Sequence, residues 1–176
     1  MALPRPLTAL LLLLACALAS AQGSSCPEPF SLMGSRCVFV THNSDASGSP
    51  AVSWFEARML CAEKVDGTSW TADLVSNYNA SFQRLLTKHI KAYPDVERYH
   101  NYHVGAAFVK DAWLWLDDTP INKMDYIWHI FSPPTGLGGF TTAGVSFIMP
   151  NQRLVLAPSS YSKSQHYVCE AKPAAA

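Results

Sequence analysis

Trp113-Leu114-Trp115-Leu116-Asp117-Asp118-Thr119-Pro120 is the stretch from which the rest of the chain can be ordered. Residues 112–116 are apolar and aromatic, as a strand against a core requires. Asp117 or Asp118 then shapes a turn, because aspartate bonds readily to nearby backbone. Upstream, residues 102–109 read as a second strand. Earlier still the pattern is helical. Ser53 opens a helix and Glu56 follows three residues later, a capping box in which hydroxyl and carboxylate satisfy backbone donors reciprocally. Trp54, Ala57, Arg58 and Cys61 share one face of it. A second helix is expected over about 80–91, where Phe82, Leu85, Leu86, His89 and Ile90 recur at amphipathic spacing. Pro94 ends it. Residues 26–41 read as a hairpin turning at Met33-Gly34-Ser35, 43–50 as loop, and 65–72 as a connection. Downstream, 117–144 is rich in Pro, Gly and Thr. A loop of that length in a compact domain is usually functional. Strands are expected at 146–149, 153–156 and 166–170. Helices early and strands late give an α+β fold.

The chain has 176 residues, a length for one domain. Hydrophobic residues make up 49% and charged residues 15%, a globular composition. Thirteen basic residues balance thirteen acidic ones. The charge balance argues against nucleic acid, whose binders carry a basic footprint. No block of like charge suggests a polybasic membrane patch.

The first residues read as a secretory signal, residues 1–21. Arg5 supplies the positive start, Leu7 to Leu18 is almost wholly apolar, and Ala19-Ser20-Ala21 offers a cleavage site. No later stretch is long and apolar enough to span a membrane. Removing 1–21 takes away Arg5 and leaves 12 basic and 13 acidic groups, a net charge of −1. The expected mature chain is a single domain over 22–176, secreted and without membrane insertion. It keeps Cys26, Cys37, Cys61 and Cys169. Four cysteines in a secreted chain read as two disulfides with three connectivities. A local Cys26–Cys37 bridge is the simplest choice, leaving Cys61 with Cys169. Zinc is the rival reading, but the spacings match no close ligand pair. Asn79-Ala80-Ser81 is an N-glycosylation sequon, expected to be exposed and occupied.

Taken in order, these pieces resemble a C-type lectin-like domain. Ser53-Trp54-Phe55-Glu56-Ala57-Arg58 with Cys61 is similar to the family's first helix. His103-Val104-Gly105-Ala106 stands at its Trp-Ile-Gly-Leu strand, Trp113 to Pro120 at its Trp-x-Trp-x-Asp-Gly-Thr segment, and Tyr167-Val168-Cys169-Glu170 at its closing Phe-Ile-Cys-Glu. The resemblance covers about residues 26–172. It implies two helices, a small twisted antiparallel sheet, a long loop region, and the long-form bridges Cys26–Cys37 and Cys61–Cys169.

The departures bear on function. In this family calcium-dependent sugar binding uses a Glu-Pro-Asn or Gln-Pro-Asp triplet in the long loop, then Trp-Asn-Asp on the next strand. Here those positions hold Ser132-Pro133-Pro134 and Leu154-Val155-Leu156. Calcium takes about six to eight oxygen ligands, several of them carboxylate. From Tyr126 through Cys169 there is no Asp or Glu. No cofactor is therefore expected, calcium at the usual site included. The family's further loop disulfide falls on Val145 and Ser159, both cysteines being absent together.

Candidate ligand-binding residues are the loop aromatics Tyr126, Phe131 and Phe140 and the carboxylates Asp118 and Asp125. Rings can stack on sugars or anchor a protein partner. Trp128 matches a structural position. His100 and His103, three apart on a strand, point to opposite faces and make a poor metal pair, so surface or half-buried histidines are expected. His42, His129 and His166 add no convergent set, and His89 reads as a core histidine. No catalysis is expected: Gly144-Val145-Ser146 lacks the second glycine of a nucleophile elbow, and the Pro/Gly run at 132–139 lacks a phosphate-binding Lys. The expectation is a secreted recognition protein of innate immunity, monomeric by default, whose partner is a glycan or pathogen surface bound without the usual calcium site. The alternative is a protein ligand on the long-loop face.

Overall fold

The structure, a computed structural model, describes residues 26–41, 51–92, 101–122, 126–128, 141–148 and 153–175; the expected signal, 1–21, lies outside them. In chain order the elements are β1 (Ser31–Met33), β2 (Arg36–Val40), α1 (Trp54–Glu63), β3 (Trp70–Leu74), α2 (Ala80–Lys91), β4 (Asn101–Val109), β5 (Ala112–Trp115), β6 (Thr141–Ile148), β7 (Arg153–Ser160) and β8 (His166–Pro173). The strands run in the order β1-β2-β8-β4-β6-β7, with β3 also on β8 and β5 also on β4.

The sheet is mixed rather than wholly antiparallel. Tyr102 and His103 of β4 pair in parallel with His166 and Tyr167 of β8. Parallel neighbours need a long connection, which the β5–β7 excursion provides. Strand β3 replaces part of the expected 65–72 connection. Its partner is β8, with Trp70 opposite Pro173 and Leu74 opposite Cys169, so its pairing is far from local. Strand β6 starts at Thr141, inside the segment read as loop, because β4 and β7 pair with it from both sides. Strand β7 runs past the expected end through Pro158, opposite Ala143. Pro158 donates no hydrogen bond, and an edge strand tolerates that.

Alternation along β8 divides two cores. Tyr167, Cys169 and Ala171 join Trp54, Ala57 and Cys61 of α1 in one. Val168 joins Phe82, Leu86 and Ile90 of α2 in the other. Successive strand side chains point to opposite faces, so the helices cover opposite faces of the sheet. On α1, Ser53 caps the helix by accepting from the Glu56 amide at 3.4 Å. Arg58, on the same face, grips Asp73 of β3 through bonds of 2.6–3.1 Å. Cys26 is bonded to Cys37 and Cys61 to Cys169.

Two sequence expectations shift on α2. The buried residues are Phe82, Gln83, Leu86 and Ile90. Leu85 is 43% exposed, and His89 is only partly buried. The stripe rotates toward Gln83 because two carbonyls hold its amide. His103, expected near the surface, is wholly buried. Its Nε2 lies 3.1 Å from the Val52 carbonyl oxygen and 2.9 Å from that of Lys163. Both are acceptors, so Nε2 carries the proton and donates to them. Nδ1 is buried without a partner. Burial, more than the nearby Lys163 charge, holds the His103 pKa below its ordinary value.

The three positions that close the frame around Gly105 leave no room for a side chain. Gly105 donates to the Val75 carbonyl at 2.8 Å and accepts from the Leu116 amide at 3.0 Å. A Cβ there would meet Leu116 Cδ1 at 2.7 Å and the Leu74 carbonyl oxygen at 2.8 Å.

Gly105→Ala should therefore destabilise the fold by about 1–3 kcal/mol, the cost of overpacking, measured by urea titration; an unchanged midpoint would count against the close approach. His103 gives a second expectation. A histidine kept neutral by the fold contributes stability that is complete above its unfolded value of about 6.5 and is lost as pH falls below it. The denaturation midpoint should drop between about pH 7 and about pH 5, and the drop should shrink in His103→Gln, which keeps a donor. Equal slopes in the two proteins would contradict the assignment.

Candidate long-loop recognition face

The β5 strand delivers the chain into the long-loop region. The Trp115 amide donates to Thr119 O at 2.9 Å and the Ile121 amide to Trp113 O at 2.8 Å, folding 115–121 back on the strand. Asp117 builds this turn. Its Oδ1 accepts from the Thr119 amide at 3.1 Å and from the Thr119 hydroxyl, and its Oδ2 accepts from Asn77 Nδ2 at 2.7 Å. The Thr119 hydroxyl, ahead of Asn77, holds the Asp117 pKa below its ordinary value. Asp118 follows in the left-handed region, with φ of 61°, and is exposed. Both carboxylates are exposed, and Asp117 is the one engaged in the turn.

Farther along, the loop is clamped to the core. Gln83 of α2 donates to Ile127 O at 3.1 Å and to Leu154 O at 3.0 Å. The Leu156 amide donates to Ile127 O at 2.7 Å. Trp128 is buried, its indole N–H donates to Asn122 O at 3.0 Å, and its ring packs edge-on to Trp113 at 5.1 Å. Beside this anchor Tyr126 is 84% exposed. The Tyr126 ring thus stands open to solvent next to a segment held by hydrogen bonds and aromatic packing.

Tyr126 and Asp118 are both at the surface. Asp125, Phe131 and Phe140 lie outside the described residues, as do Ser132-Pro133-Pro134, His42, His100 and His129. The second triplet position is described. Leu154, Val155 and Leu156 are all fully buried. Leu154 and Leu156 belong to the core that also holds Ile127 and Trp128, and none of the three offers the side-chain oxygens that calcium takes. Among the described residues, no three His, Cys, Asp or Glu side chains converge as metal ligands. The positions read as a lost disulfide are out of register: Val145 lies opposite Leu156, and Ser159 opposite Thr142. Three residues of offset separate them by about 10 Å along the strand, beyond a disulfide's reach.

Gln83 is the functional support that the sequence reading missed. A glutamine beside an apolar helical stripe was its signal, and only the loop and β7 carbonyls, 44 and 71 residues away, reveal its task.

No family model matches the sequence, and no curated protein matches it significantly. Solved structures do match its fold. The C-type lectin domain of murine dendritic cell inhibitory receptor 2, in complex with an N-glycan, is 20% identical, with 83% of this chain and 98% of that one covered at a TM-score of 0.62. The C-type lectin CEL-I from Cucumaria echinata is 15% identical over 84% and 98%, at 0.61. EMS16, an antagonist of the collagen receptor integrin alpha2beta1, is 18% identical over 82% and 98%, at 0.51. Two helices on opposite faces of a mixed sheet, the clamped loop and these likenesses together show that the chain has the C-type lectin-like fold.

Proposed function

We propose that the protein is a secreted, non-catalytic recognition module that binds carbohydrate, a microbial-surface glycan being the class in view, without the usual calcium site. The observation that carries this reading is the complete burial of Leu154-Val155-Leu156 at the position where calcium-dependent members place ligating side chains. Tyr126 is the exposed ring offered to stack on a sugar, and Asp118, exposed at the turn after β5, is proposed as a polar group of the same face. Asp125, Phe131 and Phe140 are proposed as further ligand-binding residues on the strength of their types in the sequence. The described complex of a fold relative with an N-glycan supports a sugar ligand. Innate immunity is the setting this reading favours. The two disulfides agree with an extracellular location. Among the described residues, no helix is long and apolar enough to cross a membrane.

A second reading rests on the same exposed ring. An outward tyrosine on a rigid base also anchors protein partners, and one fold relative is described as an integrin antagonist.

The test is a glycan and bacterial-polysaccharide array, probed with secreted protein in calcium and again in EDTA. Binding should survive EDTA and weaken about tenfold in Tyr126→Ala, equivalent to about 1.4 kcal/mol. Binding abolished by EDTA would overturn the calcium-free reading. Silence in both buffers would overturn the sugar reading in favour of a protein ligand.

A further inference from the structure

A cleft of about 360 Å³ lies between the β1–β2 turn and the start of α2. Met33, Gly34 and Arg36 line it from the hairpin, and Asn77, Asn79 and Leu85 from the other side. Its volume is at the low end of the range of roughly 300–1,000 Å³ for small-molecule sites, enough for one sugar ring but not for an extended oligosaccharide.

The chemistry of the walls calls for a neutral occupant. The Arg36 guanidinium donates to Ser76 O at 2.7 Å, to Asn77 O and to Glu170 at 3.2 Å, and it lies 5.0 Å from the centre of the Phe82 ring. Its charge is answered from within the fold, so among the described lining residues no free cation remains to draw an anion. Leu85, 43% exposed, leaves apolar surface there. Gly34, at φ of 67°, keeps the turn close: a Cβ on it would stand 3.3 Å from Leu85 Cδ1. Polar edges around an apolar surface suit a sugar ring.

Asn79 supplies the means of attachment. It is exposed and begins the sequon Asn79-Ala80-Ser81. Its Oδ1 caps α2, accepting from the amides of Ser81 at 3.0 Å and Phe82 at 3.1 Å. The cap uses the amide oxygen, whereas glycosylation uses the nitrogen. Both can therefore be served by one side chain.

We infer that Asn79 carries an N-linked glycan whose first N-acetylhexosamine occupies this cleft, against Leu85 and the β1–β2 turn. In the attachment step, Asn79 Nδ2 attacks the anomeric carbon of a lipid-pyrophosphate-linked oligosaccharide. The N–C bond forms as the anomeric C–O bond breaks. The lipid pyrophosphate leaves with the electron pair, and one amide proton passes to a base of the transferring enzyme. The seated sugar covers Leu85 and braces the hairpin turn against α2. This inference is independent of the ligand proposed for the long-loop face.

The test uses the full chain secreted from eukaryotic cells. Intact mass should exceed the polypeptide mass and lose the glycan mass after peptide N-glycosidase treatment, which leaves a carboxylic acid in place of the Asn79 amide. Ser81→Ala, which removes the sequon while leaving the Asn79 cap, should show no added mass. Native-state release of the glycan should be about tenfold faster in Leu85→Ser than in the unaltered protein, as expected when a local contact shields the linkage. Hydrogen exchange at Gly34 and Ser35 should quicken in Ser81→Ala, while the α2 amides stay protected. An unmodified Asn79 would overturn the site. Equal release rates with unchanged exchange at the turn would overturn the seating of the sugar.

Discussion

The bond between Cys61 and Cys169 spans 108 residues and fixes α1 to β8, and the other elements are ordered around that attachment. By loop-closure entropy, such a bridge contributes on the order of 4–5 kcal/mol. Strand β8 also pairs with β2, β3 and β4. Thr41 adds a hold on it: its hydroxyl accepts from the Tyr167 amide at 2.8 Å, and its backbone amide donates to Tyr167 O at 3.1 Å. Glu170, nearly buried, is answered by Arg36 at 3.2 Å and Lys172 at 3.4 Å. Because β8 feeds both cores, a shift of one residue in its register would exchange Val168 with Tyr167 and Cys169 and place each against the wrong helix.

The long-loop face depends on this frame at one remove. Strand β4 is fixed by β8 and carries β5, whose Trp113 packs on Trp128. Gln83 then joins α2, the loop and β7 through one amide group. The described start of the loop is thereby held by hydrogen bonds and aromatic packing. Leu154 and Leu156 share its core with Ile127 and Trp128. Hydrocarbon at those positions stabilises the loop base through burial, where an ion would stabilise it through charged ligands.

Most of the fold was legible in the sequence because its strongest signals are local. The Ser53 cap, the periodicity of 80–91 and the Trp113–Pro120 stretch each specify an element and its end. What escaped was set by distant partners. Strand β3 has a short, mixed pattern and exists by pairing with β8. Gly144 reads as loop, yet lies in β6 opposite Ala157. His103 looks like a surface histidine until the Val52 and Lys163 carbonyls close over its ring nitrogen. Gln83 looks misplaced until its two acceptors are known. Of the candidate site, the turn role of an aspartate was readable from residue type, and Asp117 fills it. The choice of Asp117 over Asp118 required the Thr119 and Asn77 contacts.

The central proposal is that an apolar core holds the loop base of this C-type lectin-like fold without calcium. Thermal unfolding of the disulfide-bonded protein, followed in saturating calcium and in EDTA, tests it most directly. A ligand held only by the folded state raises the unfolding midpoint by mass action. The account predicts the same midpoint in both buffers; a higher midpoint in calcium would contradict it.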